Sequence, residues 1–158
     1  LQPEFSPATH LISELASHRL GWTMYIAFLG LAVSFLGLQL AVGQLGASRS
    51  LQALFRIAAA AFGVAGIVTL DRSVVLHLGS VVVAFIAALL SMYLFPSTAG
   101  KAASALPEVV SWALAIGVGL GIVLGFVALP VGIGQRIAAG FLVCWLGLAG
   151  WKVGTLAT

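Results

Sequence analysis

Charged residues are scarce in this sequence, and their scarcity excludes an ordinary soluble domain. Asp, Glu, Lys and Arg make up 7% of the 158 residues, while hydrophobic residues make up 61%. Soluble domains carry roughly 25% charged residues. The seven Lys and Arg occur without the basic stripe that follows a phosphate backbone, so nucleic acid is not an expected partner. The expected partner is the lipid bilayer.

Motifs that carry chemistry are also lacking. Cys144 is the single cysteine, which excludes an intrachain disulfide and a Cys-x-x-Cys redox or zinc site. The sequence has no Gly-x-Ser-x-Gly elbow, no His-Glu-x-x-His motif and no Walker loop. It therefore gives no support for catalysis, and we expect no catalytic residue, no metal and no cofactor.

Long apolar runs are what the sequence does contain. A bilayer crossing needs about 20 apolar residues in a helix. Five runs meet this length, at about 20–43, 51–70, 74–95, 107–129 and 137–156. The sequence therefore predicts an all-α integral membrane helix bundle with five transmembrane helices, forming a single domain over 1–158.

Residues 1–19, called the leader below, are the most polar segment. Ser6-Pro7 is typical of a helix start, with serine as the N-cap and proline at the first helical position. Four apolar residues then follow at helical spacing, and they are Ala8, Leu11, Ile12 and Leu15. This pattern predicts a short helix lying on the membrane interface.

Small residues recur every three or four positions in two spans. The first span has Gly30, Ser34 and Gly37, and the fourth has Gly117, Gly121 and Gly125. Helices in lipid associate through close packing of small faces, because no hydrophobic force drives them together. We expect both stripes to be helix-packing faces.

Asp71-Arg72-Ser73 predicts a polar hairpin between the second and third spans. Five crossings bring this hairpin to the same side as the leader and Arg136. We expect one polar mouth there, formed by Glu14, Asp71, Arg72, His77 and Arg136. The first interpretation is structural, with ion pairs pinning the loops together. The second is a binding site for an anionic headgroup, a metal or a proton-linked substrate.

The distribution of basic residues predicts the orientation. The leader side balances three arginines, Arg19, Arg72 and Arg136, against three carboxylates, Glu4, Glu14 and Asp71. The other side holds Arg49, Arg56, Lys101 and Lys152 against Glu108. Cytoplasmic loops retain Lys and Arg, so we expect that side and the C-terminus in the cytoplasm of a bacterial inner membrane.

The three histidines suggest two further hypotheses. His77 is a candidate haem ligand, but a second histidine at membrane depth is missing, because His10 and His18 lie in the leader. His10, Glu14 and His18 are spaced four residues apart, which could place three metal ligands on one helix face. Such a spacing also occurs by chance in short polar helices. A hydrogen-bonded structural role is the expected one for His77.

Three segments carry a resemblance to a known family. They are Ile12-Ser13-Glu14-Leu15-Ala16 before Gly21-Trp22, the Asp71 hairpin followed by His77, and Gly134-Gln135-Arg136-Ile137 before a span with Trp145. The sequence resembles the bacterial membrane family known as domain of unknown function 998. The resemblance implies six helices, hence one upstream helix missing from this chain. It supplies no activity and no catalytic residue.

Three hypotheses for function follow. The first is a non-enzymatic multi-pass membrane protein that binds a lipid or small ligand at the outer polar mouth. The second is an accessory subunit of a larger membrane complex. It is favoured by small-residue faces on the first, second, fourth and fifth spans, which are more than a small bundle needs for its own packing. The third is a membrane enzyme or redox protein that uses His77.

Overall fold

The computed structural model describes residues 6, 8–10, 12, 14 and 21–157. Five α-helices account for most of this part of the chain, and no strand occurs in it. They are α1 (Trp22–Gln44), α2 (Arg49–Ile67), α3 (Val74–Thr98), α4 (Glu108–Val127) and α5 (Val131–Ala157). All five are long and apolar enough to span a membrane. The predicted all-α membrane bundle with five spanning helices is confirmed.

Polar loop residues set the ends of the helices. Ser48 and Ser73 are the N-caps of α2 and α3, and each hydroxyl accepts a hydrogen bond from a backbone N–H three residues later. At the end of α1, Ala47 N–H donates to Val42 O, and Gly46 adopts a φ of 84°. This is the Schellman arrangement, in which glycine takes the left-handed position.

α5 begins at Val131, within the segment where Pro130, Gly132 and Gly134 predict a turn. Gly134 lies inside the helix and packs on the backbone of Gly125 in α4. Glycine at this position allows two helices to approach closely. A sequence rich in glycine and proline is equally typical of a turn, so the sequence pattern does not distinguish a turn from a close helix contact. The helix therefore extends to the start of the loop that follows α4.

The helices form a closed ring. Each helix packs against the next in sequence, and α5 packs against α1. The α1–α2, α2–α3 and α4–α5 contacts are more extensive than the α3–α4 and α1–α5 contacts. Openings lie at the two less extensive contacts, between α3 and α4 and between α1 and α5.

We call the end of the ring with residue 21 and loops 68–73 and 128–130 the leader end.

The end opposite the leader is closed by a 3₁₀ helix, Gly100–Ala105. Ser48 N–H donates to Thr98 O, and Lys101 N–H donates to Leu45 O. Gly100 has a φ of 63° and packs on the backbone of Leu45 and Gly46, so a side chain at this position would clash. These contacts hold the loop after α1 against the loop after α3.

Aromatic side chains fill the interior. Phe55, Phe95 and Trp145 are fully buried, and Trp145 contacts both phenylalanine rings. Nearer the leader end, the Phe35 ring stacks on that of Phe62. The outer surface is apolar as well, and exposed Leu, Ile and Val side chains cover it, as lipid contact requires.

Candidate functional site: two clefts at the leader end

The loop between α2 and α3 holds its polar side chains together. A hydrogen bond from the Thr69 side chain keeps the pKa of the Asp71 carboxyl below its ordinary value of 3.8. The backbone N–H of Asp71 lowers this pKa further, desolvation opposes both effects, and the charge of Arg72 makes the smallest contribution, which also lowers the pKa. Arg72 donates a long hydrogen bond of 3.4 Å to Ile67 O. The loop is thus stabilised by bonds within its own segment.

His77 lies directly behind this loop, in the first turn of α3, and is 1% exposed. Its Nδ1 is 2.7 Å from Val68 O, and its ring meets Phe28 edge to face at a centroid distance of 5.8 Å. A carbonyl oxygen can only accept, so Nδ1 is protonated and donates this hydrogen bond. Nε2 has no hydrogen-bond partner among the residues that the structure describes.

The described leader residues dock on the start of α5. Ile12 N–H donates to Oε1 of Gln135 at 2.7 Å, and Arg136 donates to His10 O at 3.2 Å and to Gly132 O at 2.8 Å. The Nε2 atom of His10 is 4.0 Å from the Glu14 carboxylate. Gln135 and Arg136 therefore fix the leader to the bundle. Most of the predicted interfacial helix, including Leu11, Leu15 and His18, lies outside the described residues.

The five predicted mouth residues all lie at the leader end. Glu14 and Arg136 meet through His10, whereas Asp71, Arg72 and His77 belong to one segment and bond within it. An ion pair that joins the hairpin to Arg136 stays a prediction.

Two clefts open through the wall of the ring near this end. The α1/α5 cleft has a volume of about 580 Å³ and is lined by Ile12, Met24, Ala27, Phe28, Gly30, Leu31, Ser34, Phe62, Val81, Phe85, Gln135, Ala139, Val143, Leu146 and Gly147. The α3/α4 cleft has a volume of about 530 Å³ and is lined by Leu78, Val81, Val82, Phe85, Ile86, Leu89, Ile122, Gly125, Phe126, Val131, Gln135 and Ala138. Both clefts are lined by Val81, Phe85 and Gln135. The two clefts are therefore neighbours, and these three side chains lie between them.

The glycine stripe of α4 packs against α5, and its last member, Gly125, also lines the α3/α4 cleft. A Cβ atom at Gly121 would lie 2.6 Å from Ala138 N, and one at Gly117 would lie 2.6 Å from the Phe141 ring. Gly125 packs on Gly134. α4 therefore contacts the α5 backbone at Gly121 and Gly125 and the Phe141 ring at Gly117. The α3–α4 contact, where the cleft lies, is less extensive than this α4–α5 contact.

A buried hydrogen-bond chain holds α3, α4 and α5 together towards the end of the bundle opposite the leader. Trp145 Nε1–H donates to Ser111 Oγ at 2.8 Å, and the Ser111 hydroxyl donates to Met92 O at 2.6 Å. Pro96 lies inside α3 and has no N–H to donate to Met92 O, its partner four residues earlier. Ser111 satisfies this carbonyl. One signal for this hydrogen-bond chain is visible in the sequence, the proline four residues after Met92, but it lies just past the predicted third span and is equally typical of a helix end.

The stripe on α1 differs from that on α4. Gly30, Ser34 and Gly37 are exposed, and a Cβ atom at either glycine would meet no other atom within 4 Å. Gly30 and Ser34 line the α1/α5 cleft, and Gly37 lies beyond it. The described part of the chain therefore places no helix against this stripe.

The described residues contain no group of three or more His, Cys, Asp or Glu side chains that could hold a metal ion. The metal hypothesis for His10, Glu14 and His18 involves a residue outside that part of the chain. Gln135 is the polar residue that the sequence analysis missed as part of a site, because a single amide near a helix start has no distinctive pattern.

Comparison with known proteins agrees with the resemblance drawn from the sequence. The chain matches the family described as "Protein of unknown function (DUF998)" over residues 1–152. No curated protein and no solved structure matches it. Because the match covers nearly the whole sequence, the chain belongs to this family of proteins of unknown function.

Proposed function

We propose that this protein is a non-enzymatic lipid-binding membrane protein, with an acyl chain held in the clefts and the headgroup at the leader end. The observation that carries the proposal is the pair of clefts that share Val81, Phe85 and Gln135. Their walls are apolar, apart from Gln135 and Ser34. Both open sideways from the ring, where a lipid chain can enter from the bilayer.

The length of each cleft fits one leaflet. At ~1.5 Å per helical residue, the α1/α5 cleft extends ~18 Å along α5 from Gln135 to Gly147. The α3/α4 cleft extends ~16 Å along α3 from Leu78 to Leu89. The hydrocarbon core of one leaflet is about 15 Å thick, half of the ~30 Å of the bilayer. A chain anchored at the leader end would thus fill a cleft.

The polar groups at the leader end suit a headgroup. Arg136 and His10 lie beside Gln135, at the end of the clefts where a headgroup would emerge. Arginine binds phosphate and carboxylate oxygens with two parallel hydrogen bonds. We further propose that this end faces the outside of a bacterial inner membrane, with the C-terminus in the cytoplasm, which rests on the charge distribution of the loops.

Two glycine variants on α5 test the proposal. Gly147 lines the α1/α5 cleft and Gly140 does not, and a Cβ atom at either would meet no atom within 4 Å. Gly147→Leu should therefore fill the cleft, while Gly140→Leu adds the same side chain to the outer surface. After purification in mild detergent, lipid bound per protein is measured by native mass spectrometry.

We expect the wild type and Gly140→Leu to retain bound lipid, and Gly147→Leu to retain less than half as much. Circular dichroism and gel filtration show whether both variants fold. Equal retention by the two folded variants, or a wild type without bound lipid, would contradict the proposal.

A second candidate function is that of an accessory subunit in a larger membrane complex. The exposed stripe of Gly30, Ser34 and Gly37 favours it, because small residues mark helix contacts in lipid. Gly37→Leu should then break a complex isolated in gentle detergent, while Gly79→Leu, an equally open position on α3, should leave it intact. A wild-type protein that elutes without other subunits argues against this function.

A further inference from the structure

Among the residues that the structure describes, His77 differs from the other buried polar side chains because one of its ring nitrogens has no partner. Its Nδ1 donates to Val68 O at 2.7 Å, which fixes the proton on that nitrogen. In the neutral imidazole tautomer with this proton, Nε2 is an acceptor. The side chain is 1% exposed, and within the described part of the chain Nε2 forms no hydrogen bond. An unpaired buried acceptor is unfavourable, so this nitrogen favours a molecule that can donate to it.

His77 lies next to the wall of the α1/α5 cleft. Val81 is one helical turn further along the same face of α3, and it lines the cleft. Phe28 also lines the cleft, and its ring meets the His77 ring edge to face with an interplanar angle of 89°. His77 and this end of the cleft therefore share the Phe28 ring as a neighbour.

We infer that the α1/α5 cleft selects an amphiphile with a hydroxyl headgroup, whose O–H donates to Nε2 of His77. The inference rests on the proposed lipid-binding function and names the ligand class. A hydroxyl is a donor, whereas an ether or ester oxygen and a carboxylate are acceptors that would face another acceptor. Val68 O holds the histidine from the side of the loop between α2 and α3, and the charged side chains of that loop, Asp71 and Arg72, are exposed.

The test compares two ligands that differ by one donor. 1-Tetradecanol and its methyl ether have the same chain, but the ether cannot donate a hydrogen bond. Competition against radiolabelled tetradecanol gives the affinity of each for the purified protein in detergent. We expect the wild type to bind the alcohol about tenfold more tightly, the effect of one hydrogen bond to a buried group.

His77→Asn distinguishes the donor role of Nδ1 from the acceptor role of Nε2. The asparagine amide N–H can replace Nδ1 as donor to Val68 O, but no atom takes the place of Nε2. We expect this variant to bind alcohol and ether equally. As a measurement that needs no variant, the ¹⁵N resonance of Nε2 in the wild type should move when the alcohol is added and stay in place with the ether.

The outcomes separate this inference from the proposed function. If the wild type binds alcohol and ether equally, or if the Nε2 resonance does not move on addition of the alcohol, the hydroxyl selectivity is overturned. Binding of the alkyl chain in the cleft then still stands. If the asparagine variant folds and keeps the tenfold preference, His77 is not the acceptor. If neither ligand binds, both proposals fail.

Discussion

At the scale of single residues, one buried serine satisfies two polar groups of other helices. The indole of Trp145, the hydroxyl of Ser111 and the carbonyl of Met92 form one chain through three helices. All three residues are fully buried. Ser111 is both acceptor and donor, so a single side chain satisfies the indole N–H and the carbonyl that Pro96 leaves without its helical donor.

Ser111→Ala should lower the free energy of unfolding by about 1–3 kcal/mol, because it leaves a buried donor and a buried acceptor unpaired. Unfolding in mixed micelles by sodium dodecyl sulfate measures this change. Ser80→Ala is the control, since that hydroxyl bonds only to Leu76 O of its own helix and should change stability by less than about 0.5 kcal/mol. Equal effects of the two substitutions would show that the buried chain contributes nothing.

At the scale of helices, the two small-residue stripes show what sequence alone can and cannot predict. Hydropathy predicts five helices because every lipid-facing position must be apolar. The spacing of small residues predicts packing faces on α1 and α4 equally. The partner of each face depends on the arrangement of the ring, and only the α4 stripe contacts a described helix. The same ambiguity places Gly134 in a turn by pattern and in α5 by structure.

Gly121→Ala should destabilise the protein by about 1–3 kcal/mol, because its Cβ would overlap the Ala138 backbone, which cannot move without shifting α5. Gly119→Ala, two residues earlier, meets nothing within 4 Å and should be neutral or raise stability by up to about 1 kcal/mol through helix propensity. Thermal unfolding in detergent compares the pair. If the alanine at 121 were tolerated as well as that at 119, the close α4–α5 contact would be refuted.

At the scale of the whole molecule, the order of the helices produces the clefts. The close α1–α2, α2–α3 and α4–α5 contacts leave two weaker seams, and both clefts lie in them. The sequence predicts that polar residues gather at the leader end, because an odd number of crossings separates its segments from the other loops. It cannot predict the clefts, which depend on how side chains of α3 and α5 fill the space between neighbours.

The most direct test of lipid binding in these clefts uses a phospholipid with a photoreactive diazirine on its acyl chain. Val143 in the α1/α5 cleft is 56% exposed, and Val123 on the outer face of α4 is 54% exposed. The two valines differ in their location, but their exposed fractions are nearly the same. Val82 in the α3/α4 cleft and Val33 outside both clefts form a second pair, 56% and 59% exposed.

After irradiation in detergent with a small excess of this lipid, mass spectrometry of peptides gives the label at each residue. A chain that resides in the clefts should label Val143 and Val82 several times more than Val123 and Val33. Labelling of all four valines in proportion to their exposure would contradict the account, because it would mean that lipid contacts the clefts no differently from the rest of the surface.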